Sequence, residues 1–426
     1  MDIRSLYNIY QKHPNVCTDS RAVKQGDLFF ALKGESFDGN KFAAGALEQG
    51  AAYVVIDDAQ YKQDDRFILV EDVLQTLQEL ARHHRRQFTI PVLGLTGSNG
   101  KTTTKELIAA VLEQKYRIHA TRGNFNNHIG VPLTLLSMPQ DTELAVIEMG
   151  ANHLREIAFL CAIAEPTHGL ITNVGKAHLE GFGSFEGVRK TKAEIYNWLV
   201  GIDGVGFVNQ NEPYLEEMAQ AVQQKVFYGK DGVAELAGAS PFVEFFMTDG
   251  AEKVKVKTQI IGAYNFNNIL TAITIGQFFG VPDEAIRSGL ENYLPQNNRS
   301  QLMEKDGNTY IMDAYNANPV SMEKALLSFS EMDQAGKRKI AILGDMRELG
   351  SVSEEEHRKM VSLVQNLQID TVVFVGPEFA KVTKEGNHIH FDHAAEAKTW
   401  FKKEAPSGAL ILLKGSRGIR LEEVVS

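Results

Sequence analysis

One short segment constrains this chain more than any other, and it reads Gly97, Ser98, Asn99, Gly100, Lys101, Thr102, Thr103. The apolar run 90–95 before it predicts a buried strand, and residues 102–114 after it predict a helix. Glycines in such a turn let backbone N–H groups converge on phosphate oxygens, while the lysine neutralises charge and the next hydroxyl can bind Mg²⁺. The strict pattern has glycine where this chain has Leu95, so a plain strand-turn-helix is the alternative. The complete order of strand, glycines, Gly-Lys-Thr and helix favours phosphate binding.

The bulk composition excludes several other classes of protein. With 426 residues, 43% hydrophobic and 23% charged, the chain can form two or three domains with real cores. A net charge of −10 argues against nucleic acid or an anionic membrane as the main partner. The two cysteines, Cys17 and Cys161, form no disulfide framework or zinc spacing. Since no signal peptide or membrane-spanning run is present either, we expect a cytoplasmic protein without membrane insertion.

Apolar runs alternate with helical segments, which predicts an α/β fold of three domains built on mostly parallel sheets. The predicted domains are a small N-terminal α/β domain, a central phosphate-loop domain and a C-terminal Rossmann-like domain, at 1–86, 87–294 and 295–426. The predicted strands are 27–32, 52–56, 90–95, 145–149, 169–174, 310–313, 339–345, 371–376 and 409–414, with short strands within 203–261. The predicted helices are 42–49, 73–87, 102–114, 186–200 and 267–279.

Chemically useful side chains follow two of the central strands. Glu148 ends the strand 145–149, and His178 lies just past the strand 169–174. Ligands collect at the carboxyl ends of parallel strands, so both side chains are site candidates. A carboxylate at Glu148 could hold Mg²⁺ that bridges phosphates, or it could be an exposed strand-end acid. A lone histidine is more often structural than a ligand, so His178 keeps both interpretations.

Lys192 occupies an unusual place in the predicted helix 186–200. At helical spacing it shares a face with Val188, Ile195 and Leu199, so it is predicted to point inward. Its ammonium could reach solvent along the apolar stem, as lysines commonly do. Alternatively it is a buried lysine that is unprotonated or chemically modified. A lysine carbamate would be negatively charged and could serve a second metal.

Two segments rich in side-chain amides have open roles. Asn124, Asn126 and Asn127 precede an apolar helix, where they could form turns and caps or bind a polar substrate. The segment 313–319 follows a predicted strand of the third domain. It could be a turn and helix start, or it could contact a nucleotide across a domain cleft.

Taken in order, these motifs resemble the Mur ligase family over nearly the whole chain. The matching segments are 18–21, 30–35, 37–39, 96–103, 123–127, 148–150, 177–180, 192–195, 298–299, 313–319, 344–350 and 414–417. The family's phosphate loop is short-spaced, which accounts for Leu95. The segments 344–350 and 414–417 are the most specific to the branch that adds D-alanyl-D-alanine. Two departures concern nucleotide-site detail: Tyr264 stands where the family often has His, and Asn298 where it often has Gly before Arg299.

The resemblance implies a monomeric ligase that uses ATP and Mg²⁺ to join D-alanyl-D-alanine to UDP-N-acetylmuramoyl-tripeptide through an acyl phosphate. This reaction belongs to cytoplasmic peptidoglycan precursor synthesis. The implied catalytic residues are Lys101, Glu148, His178 and a carbamoylated Lys192, of which the last three, with Thr102, would bind magnesium. The implied ATP-binding residues are Gly97, Ser98, Asn99, Gly100, Lys101, Thr102, Thr103, Asn265, Asn268, Arg299, Asp313, Tyr315 and Asn316. The implied substrate-binding residues are Ser20, Arg21, Lys33, Gly34, Phe37, Asp38, Asn124, Asn126 and Asn127.

Three alternatives remain open at the level of sequence. A sibling ligase would add a single amino acid, although the Asp-Asn-Pro-Arg signature of the diaminopimelate-adding enzyme is absent. A folylpolyglutamate synthetase is a more distant relative with the same chemistry. A phosphate-loop kinase or nucleotide switch is a different class, disfavoured because the base-reading Asn-Lys-x-Asp of GTPases and a kinase-like lid are missing. The third residue of the tripeptide could be lysine or diaminopimelate.

Overall fold

The computed structural model describes residues 1–230, 232–249, 252–296, 298–332, 336–384, 386, 388–404 and 407–426. Its strands are grouped into separate α/β regions along the chain, which confirms the predicted fold class. Among these described residues, no helix is both long enough and apolar enough to cross a membrane.

The N-terminal region is a small parallel sheet covered by helices. Its strands are β1 (Val16–Cys17), β2 (Leu28–Phe30), β3 (Lys33–Gly34), β4 (Phe37–Asp38), β5 (Tyr53–Ile56) and β6 (Phe67–Leu69). Its helices are α1 (Ile3–Lys12), α2 (Ala43–Glu48) and α3 (Val73–Arg85). The sheet order is β1-β2-β5-β6, all parallel, while β3 and β4 form a short antiparallel hairpin. Because the sheet is covered on both faces, β2 is apolar at every position and fully buried.

Helix α1 is an element that the sequence interpretation did not include. Asp2 caps it, because its Oδ1 accepts a hydrogen bond of 3.0 Å from the Ser5 amide. Leu6, Tyr7 and Tyr10 are buried on one side, at the spacing of a helix face. The periodic pattern was therefore present, although the segment is short and polar overall.

A continuous hydrophobic core joins the N-terminal region to the central one. It contains Leu6, Phe30 and Leu77 from the first region together with Val131 and Ile147 from the second. Helix α3 carries most of this junction, since it packs against two helices of the central region. Burial of apolar surface at the junction, about 25 cal/mol per Å², favours a fixed arrangement of the two regions.

The central region is a six-stranded parallel sheet. Its strands are β7 (Val92–Thr96), β8 (Ile118–Ala120), β9 (Leu144–Glu148), β10 (His168–Ile171), β11 (Val205–Asn209) and β12 (Gln224–Tyr228), in the order β12-β11-β10-β7-β9-β8. Its helices are α4 (Lys101–Leu112), α5 (Gly130–Leu136), α6 (Glu156–Ala164), α7 (Leu179–Phe182), α8 (Phe185–Ile202) and α9 (Leu215–Met218). The strands predicted at 90–95, 145–149 and 169–174 are β7, β9 and β10, which are neighbours in the sheet. Their carboxyl ends therefore meet at one edge.

An antiparallel sheet and two helices complete this part of the chain. The strands are β13 (Ala234–Ala239), β14 (Phe242–Asp249) and β15 (Glu252–Ile261), and the helices are α10 (Phe266–Phe278) and α11 (Asp283–Asn292). The short strands predicted within 203–261 are thus present, and α9 lies among them. Helices α10 and α11 pack against α4, the helix that follows the phosphate loop.

The C-terminal region has its own six-stranded sheet. Its strands are β16 (Gln301–Lys305), β17 (Asn308–Asp313), β18 (Lys339–Gly344), β19 (Thr371–Val375), β20 (Ile389–Phe391) and β21 (Leu410–Lys414). Its helices are α12 (Pro319–Glu331), α13 (Ser353–Val364), α14 (Pro377–Thr383) and α15 (Ala394–Glu404). The order is β16-β17-β21-β18-β19-β20, with only the β16–β17 pair antiparallel among the described pairs of this sheet. Residues 313–319 leave the carboxyl end of β17 and lead into α12.

Candidate active site

The phosphate loop requires glycine at two positions for steric reasons. Gly97 has φ +148° and Gly100 has φ +76°, both in the region that side chains disfavour. A Cβ atom on Gly97 would lie 1.9 Å from Thr172 Oγ1, and one on Gly100 would lie 2.8 Å from Asn268 Oδ1. Helix α4 begins within this segment, at Lys101, so its free N–H groups face the same space.

The segment after β10 holds the phosphate loop in place. Thr172 Oγ1 and Asn173 Nδ2 donate hydrogen bonds of 2.7 and 3.0 Å to the Asn99 carbonyl. Asn173 Oδ1 accepts a bond of 3.0 Å from the Asn99 amide in return. Ser98 Oγ also pairs with Gly175, through its amide at 2.9 Å. The loop conformation is therefore fixed by the protein before any ligand binds.

Lys101 folds back over the loop that precedes it. Its Nζ donates a hydrogen bond of 2.8 Å to the Gly97 carbonyl. Burial lowers the pKa of the Lys101 ammonium, and the Glu148 carboxylate acts against that shift. A phosphate bound in the loop would be a second anionic partner for Lys101, in addition to Glu148.

Glu148 presents a carboxylate oxygen without a hydrogen-bond donor. The side chain is 1% exposed, and Oε1 accepts bonds from Asn126 Nδ2 at 2.7 Å and Thr102 Oγ1 at 3.2 Å. Oε2 is buried and has no hydrogen-bond partner among the residues that the structure describes, with Lys105 Nζ 4.0 Å away. Lys105 offsets the charge of this oxygen without a hydrogen bond, so the oxygen keeps free lone pairs that fit a hard divalent ion such as Mg²⁺.

Lys192 is buried as the helical pattern predicted. It lies on α8 with 2% of its surface exposed, and its Nζ is 5.5 Å from the centre of the Phe182 ring. Among the described residues it has no hydrogen bond or ion pair, and it does not line the cavity described below. Burial, together with the nearby Lys101 charge, holds the pKa of Lys192 well below its ordinary value. The neutral form of the Lys192 amine is therefore favoured more than in an exposed lysine.

His178 contacts the C-terminal region. Its backbone has φ +51°, and its Nδ1 pairs with Glu348 Oε2. That contact lowers the pKa of the Glu348 carboxyl. In the part of the chain that the structure describes, no three His, Cys, Asp or Glu side chains are grouped as a metal cluster. A shared magnesium site of Glu148, His178 and Lys192 stays a prediction.

The C-terminal region supplies the opposite wall. The Arg299 guanidinium lies over the Tyr315 ring, with 3.8 Å between its central carbon and the ring centre. Asp313 forms an ion pair of 2.9 Å with Lys414, whose Nζ also donates to the Asn316 carbonyl at 2.7 Å. These contacts tie the carboxyl ends of β17 and β21 together, so the wall has a defined shape.

The two walls enclose a cavity of about 890 Å³. The predicted site residues that line it are Ser98, Asn99, Gly100, Lys101, Thr102, Thr103, Asn124, Asn126, Asn127, Glu148, His178, Asn265, Asn268, Arg299, Asp313, Tyr315 and Asn316. Apart from Gly97, which does not line the cavity, the predicted nucleotide residues of both regions therefore lie around one space. A volume of this size is within the range of small-molecule and cofactor sites.

The predicted substrate residues of the N-terminal region lie elsewhere and do not line this cavity. They are Ser20, Arg21, Lys33, Gly34, Phe37 and Asp38. Arg21 pairs with Asp19 at 2.8 Å, and Lys33 pairs with Asp57 at 2.8 Å. Phe37 is 46% exposed. Lys33, Gly34, Phe37 and Asp38 lie on the β3–β4 hairpin, and Ser20 and Arg21 follow β1, so this group lies on the N-terminal region rather than at the phosphate loop.

Both departures from the family pattern have a structural account. Asn298 has φ +55°, a conformation in which asparagine is the common replacement for glycine. Tyr264 pairs through its hydroxyl with Ser300 Oγ at 3.2 Å. The neighbouring Asn268 donates a bond of 2.8 Å to Asn265 Oδ1, so these two amides support each other at the cavity wall.

Several residues of the site were not predicted from the sequence. Lys105, Lys414 and Asn318 were not named individually as site residues, and each makes a direct contact to a residue that was. Lys414 and Asn318 do belong to the segments 414–417 and 313–319 that match the family. Lys414 is the last residue of a strand, the same kind of position that made Glu148 a candidate. Lys105 lies one helical turn after Lys101 and so on the same side of α4. The segment 313–319 was a candidate for contact across the cleft, but the pairing of Asn318 with Asn99 had no local signal.

Known protein families cover most of this chain. Family models match the Mur ligase family catalytic domain over residues 14–85, the Mur ligase middle domain over residues 95–276, and the Mur ligase glutamate ligase domain over residues 298–417. The chain is 40% identical over 424 residues to the UDP-N-acetylmuramoyl-tripeptide--D-alanyl-D-alanine ligase of Bacillus subtilis (strain 168), covering 96% of this chain and 92% of that protein. It is 35% identical over 425 residues to the protein of the same name from Escherichia coli (strain K12), with the same coverage of 96% and 92%.

Solved structures give the same result. MurF from Acinetobacter baumannii is similar with a TM-score of 0.88 and 30% identity, over 99% of this chain and 97% of that one. The MurF ligase from Thermotoga maritima in complex with ADP is similar with a TM-score of 0.83 and 30% identity, over 96% of both chains. With its sheets, its phosphate loop and its sequence matched along nearly the whole length, this chain belongs to the Mur ligase family.

Proposed function

We propose that this chain is an ATP-dependent ligase that joins D-alanyl-D-alanine to UDP-N-acetylmuramoyl-tripeptide in cytoplasmic peptidoglycan precursor synthesis. The observation that carries the proposal is the divided cavity. Its phosphate loop and Glu148 belong to the central region, while Arg299, Asp313 and Tyr315 belong to the C-terminal region. The names of the relatives from Bacillus subtilis and Escherichia coli support the choice of substrates.

ATP fits the cavity because residues of suitable chemistry line it for each part of the nucleotide. The phosphates would lie in the loop 97–103, where free N–H groups and Lys101 offset their charge. The base and sugar would lie among Asn265, Asn268 and the stacked Arg299–Tyr315 pair. The ADP complex of the similar Thermotoga maritima protein supports a nucleotide in this fold.

Mg²⁺ would be held by Thr102 and the unpaired oxygen of Glu148, with phosphate oxygens as its other ligands. It would neutralise charge that develops on the transferred phosphoryl group. His178 is a further candidate ligand, which would have to exchange its contact with Glu348 for the metal.

The reaction needs activation, because a free carboxylate does not condense with an amine in water. The terminal carboxylate oxygen of the tripeptide attacks the γ-phosphorus of ATP, and the bond from that phosphorus to the ADP oxygen breaks. The D-alanyl-D-alanine nitrogen then attacks the acyl carbon, phosphate leaves with the former carboxylate oxygen, and the nitrogen loses a proton. Lys101 contributes charge neutralisation and positioning to the first step. Contact between the two walls excludes water from the acyl phosphate.

We assign a carbamate to Lys192. A neutral amine attacks the carbon of CO₂ and loses a proton, which leaves a carboxylate on the side chain. Burial lowers the pKa of the Lys192 ammonium, and Glu156 and Glu194 only partly oppose that shift. Together with the absence of an ion pair to Lys192 among the described residues, the lowered pKa favours this chemistry. The resulting anion would support a second magnesium and offset the Lys101 charge.

The three predicted domains divide the work in this proposal. Residues 1–86 would bind the uridine end of the substrate through Ser20, Arg21, Lys33, Gly34, Phe37 and Asp38. Residues 87–294 would bind ATP and the tripeptide end, the latter through Asn124, Asn126 and Asn127. Residues 295–426 would close on the nucleotide and bind D-alanyl-D-alanine. The protein would act as a monomer.

The experiment that tests this function measures phosphate release from ATP with defined substrates. Release should require UDP-N-acetylmuramoyl-tripeptide, D-alanyl-D-alanine and Mg²⁺ together, and should stop when EDTA is added. Parallel reactions replace the dipeptide with single amino acids, or both substrates with folate and glutamate. Turnover in either replacement, or release without any acceptor, would contradict the proposal. Tripeptides that contain lysine or diaminopimelate would identify the third residue.

A further inference from the structure

Lys105 places a buried cation beside the carboxylate that is proposed to bind Mg²⁺. The side chain lies on α4 with 3% of its surface exposed. Its Nζ is 4.0 Å from Glu148 Oε2, which has no hydrogen bond within the described part of the chain, and 3.5 Å from the Gly123 carbonyl to which it donates. The ammonium is therefore held next to the one oxygen that a metal would use.

A second carboxylate shares this cation. Lys105 Nζ is 3.8 Å from Glu106 Oε1, while the Tyr293 hydroxyl donates a hydrogen bond of 2.6 Å to Glu106 Oε2. Tyr293 fixes Glu106 in this position from the end of α11. Lys105 consequently keeps an anionic partner when Glu148 is given to a metal, and it need not leave the site.

The charges around Glu148 oppose binding of a metal ion by the protein alone. Glu148 is the proposed metal-binding carboxylate. Two cationic side chains, Lys101 and Arg299, line the same cavity, and a third, Lys105, lies beside Glu148. Among the described residues, no group of three potential metal-binding side chains of His, Cys, Asp or Glu occurs. Phosphate oxygens would supply both the missing ligands and the missing negative charge.

We propose that Lys105 prevents stable binding of a divalent metal until nucleotide phosphates are present, so that metal and nucleotide enter the site together. This inference rests on the proposed function in one respect: the cavity must bind a metal together with a nucleotide. Lys105 has a positioning role in this proposal, since it acts through Glu148 and does not itself line the cavity.

The test is a titration of the full-length protein with Mn²⁺, followed by electron paramagnetic resonance, in the absence of nucleotide. The wild type and Lys105→Arg should bind Mn²⁺ weakly. Lys105→Met should bind it at least about tenfold more tightly, because a unit charge near 4 Å has been removed. Lys105→Met combined with Glu148→Gln should return to weak binding. With ADP present, the wild type and Lys105→Met should bind Mn²⁺ with affinities within about threefold of each other.

Matched variants separate this effect from general changes. Lys62→Met removes the same charge at an exposed position of the first region and should leave Mn²⁺ binding unchanged. Lys105→Gln provides a second neutral side chain if Lys105→Met does not fold, as judged by circular dichroism. Tight Mn²⁺ binding by the wild type without nucleotide, or equal binding by the wild type and the neutral variants, would overturn the inference. No ligase substrate is present, so failure of the proposed reaction would leave this result intact.

Discussion

Asn318 Nδ2 donates a hydrogen bond of 2.6 Å to Asn99 Oδ1, and this contact joins the C-terminal region to the phosphate loop. Asn318 is also the cap of α12, because its Oδ1 accepts a bond of 2.9 Å from the Ser321 amide. One side chain therefore both starts a helix of the third region and contacts the loop of the second. The position of the C-terminal wall is thereby coupled to the conformation of the phosphate loop.

Replacing Asn318 with serine separates these two tasks. Serine keeps a cap for α12 but is too short to reach Asn99, so one hydrogen bond between the walls is lost. We expect the KM for ATP to rise about three- to tenfold, which corresponds to about 0.5–1.5 kcal/mol. Steady-state kinetics measure this change, and Tm should stay close to that of the wild type. Asn318→Ala should additionally lower Tm, because the cap is removed too. An unchanged KM in both variants would show that the contact does not contribute to nucleotide binding.

Lys101→Ala should abolish formation of the acyl phosphate. The ammonium is the cation held closest to the turn of the phosphate loop, with its Nζ 2.8 Å from the Gly97 carbonyl. We expect kcat to fall by at least about 10²–10³-fold, as when one charge-stabilising donor is removed from an active site. The measurement is ADP formation together with chemical trapping of the acyl phosphate. Lys62→Ala, at an exposed lysine, is the control for the loss of one positive charge. Normal trapping in Lys101→Ala would remove the loop from the first step.

Lys192→Ala should lose most turnover while the fold is kept, and added small carboxylates should restore part of the activity. The physical reason is that the proposed carbamate supplies a carboxylate in a buried place that an added anion can reach. Incubation with isotopically labelled bicarbonate should give a carbamate signal by ¹³C NMR in the wild type. The signal should disappear in Lys192→Ala and persist in Lys190→Ala, since Lys190 is exposed on the same helix. Full activity of Lys192→Ala without added carboxylate would disprove the carbamate role.

His84 should make the stability of the protein depend on pH. The ring is 1% exposed and contacts the Tyr7 hydroxyl at 3.0 Å, and burial lowers the pKa of His84 to about 4. The unfolded chain binds the proton near its ordinary pKa of 6.5, so protonation favours unfolding as pH falls below that value. The contribution of His84 should therefore be full above about pH 7 and should fall by about 2 kcal/mol on going to about pH 5.

Urea unfolding of the wild type and of His84→Gln at both pH values isolates this contribution. The loss of stability between about pH 7.5 and about pH 5 should be smaller in the variant by about 2 kcal/mol. Burial also lowers the pKa of the buried His119 and of the half-buried His168, and both histidines contribute equally to the pH dependence of the two proteins. An equal loss in both proteins would place the pH sensitivity elsewhere.

Much of the site follows from local patterns in the sequence. The phosphate loop could be predicted because its glycines and the strand and helix around it are contiguous in the sequence. The inward direction of Lys192 was predicted because Lys192 shares a helix face with Val188, Ile195 and Leu199. The structure confirms it, since only 2% of the Lys192 surface is exposed. The strand-end positions of Glu148 and Asp313 followed from apolar runs that end in an acid. In each case a period or a spacing within a few residues determines the structure.

The remaining features depend on contacts that no local pattern contains. Asn99 and Asn318 are 219 residues apart, and Asp313 is paired with Lys414 from another strand. Lys105 lies on the helix predicted from Thr102 onward, but its contact with Glu148 depends on how α4 packs against β9. Such contacts arise only when separate elements are placed in three dimensions, so the sequence identified the parts of the site better than their pairing.

The core shared by the first two regions has a consequence for substrate length. If the uridine end of the substrate binds on the first sheet and its carboxylate reacts beside Glu148, the two ends are held by one packed unit. The span between them is then set by buried residues such as Leu77 and Val131 and cannot adapt freely. The terminal carboxylate of a peptide one residue shorter or longer would not reach the position beside Glu148. The order of additions to the growing stem peptide would then depend on the length of the substrate rather than on recognition of each side chain.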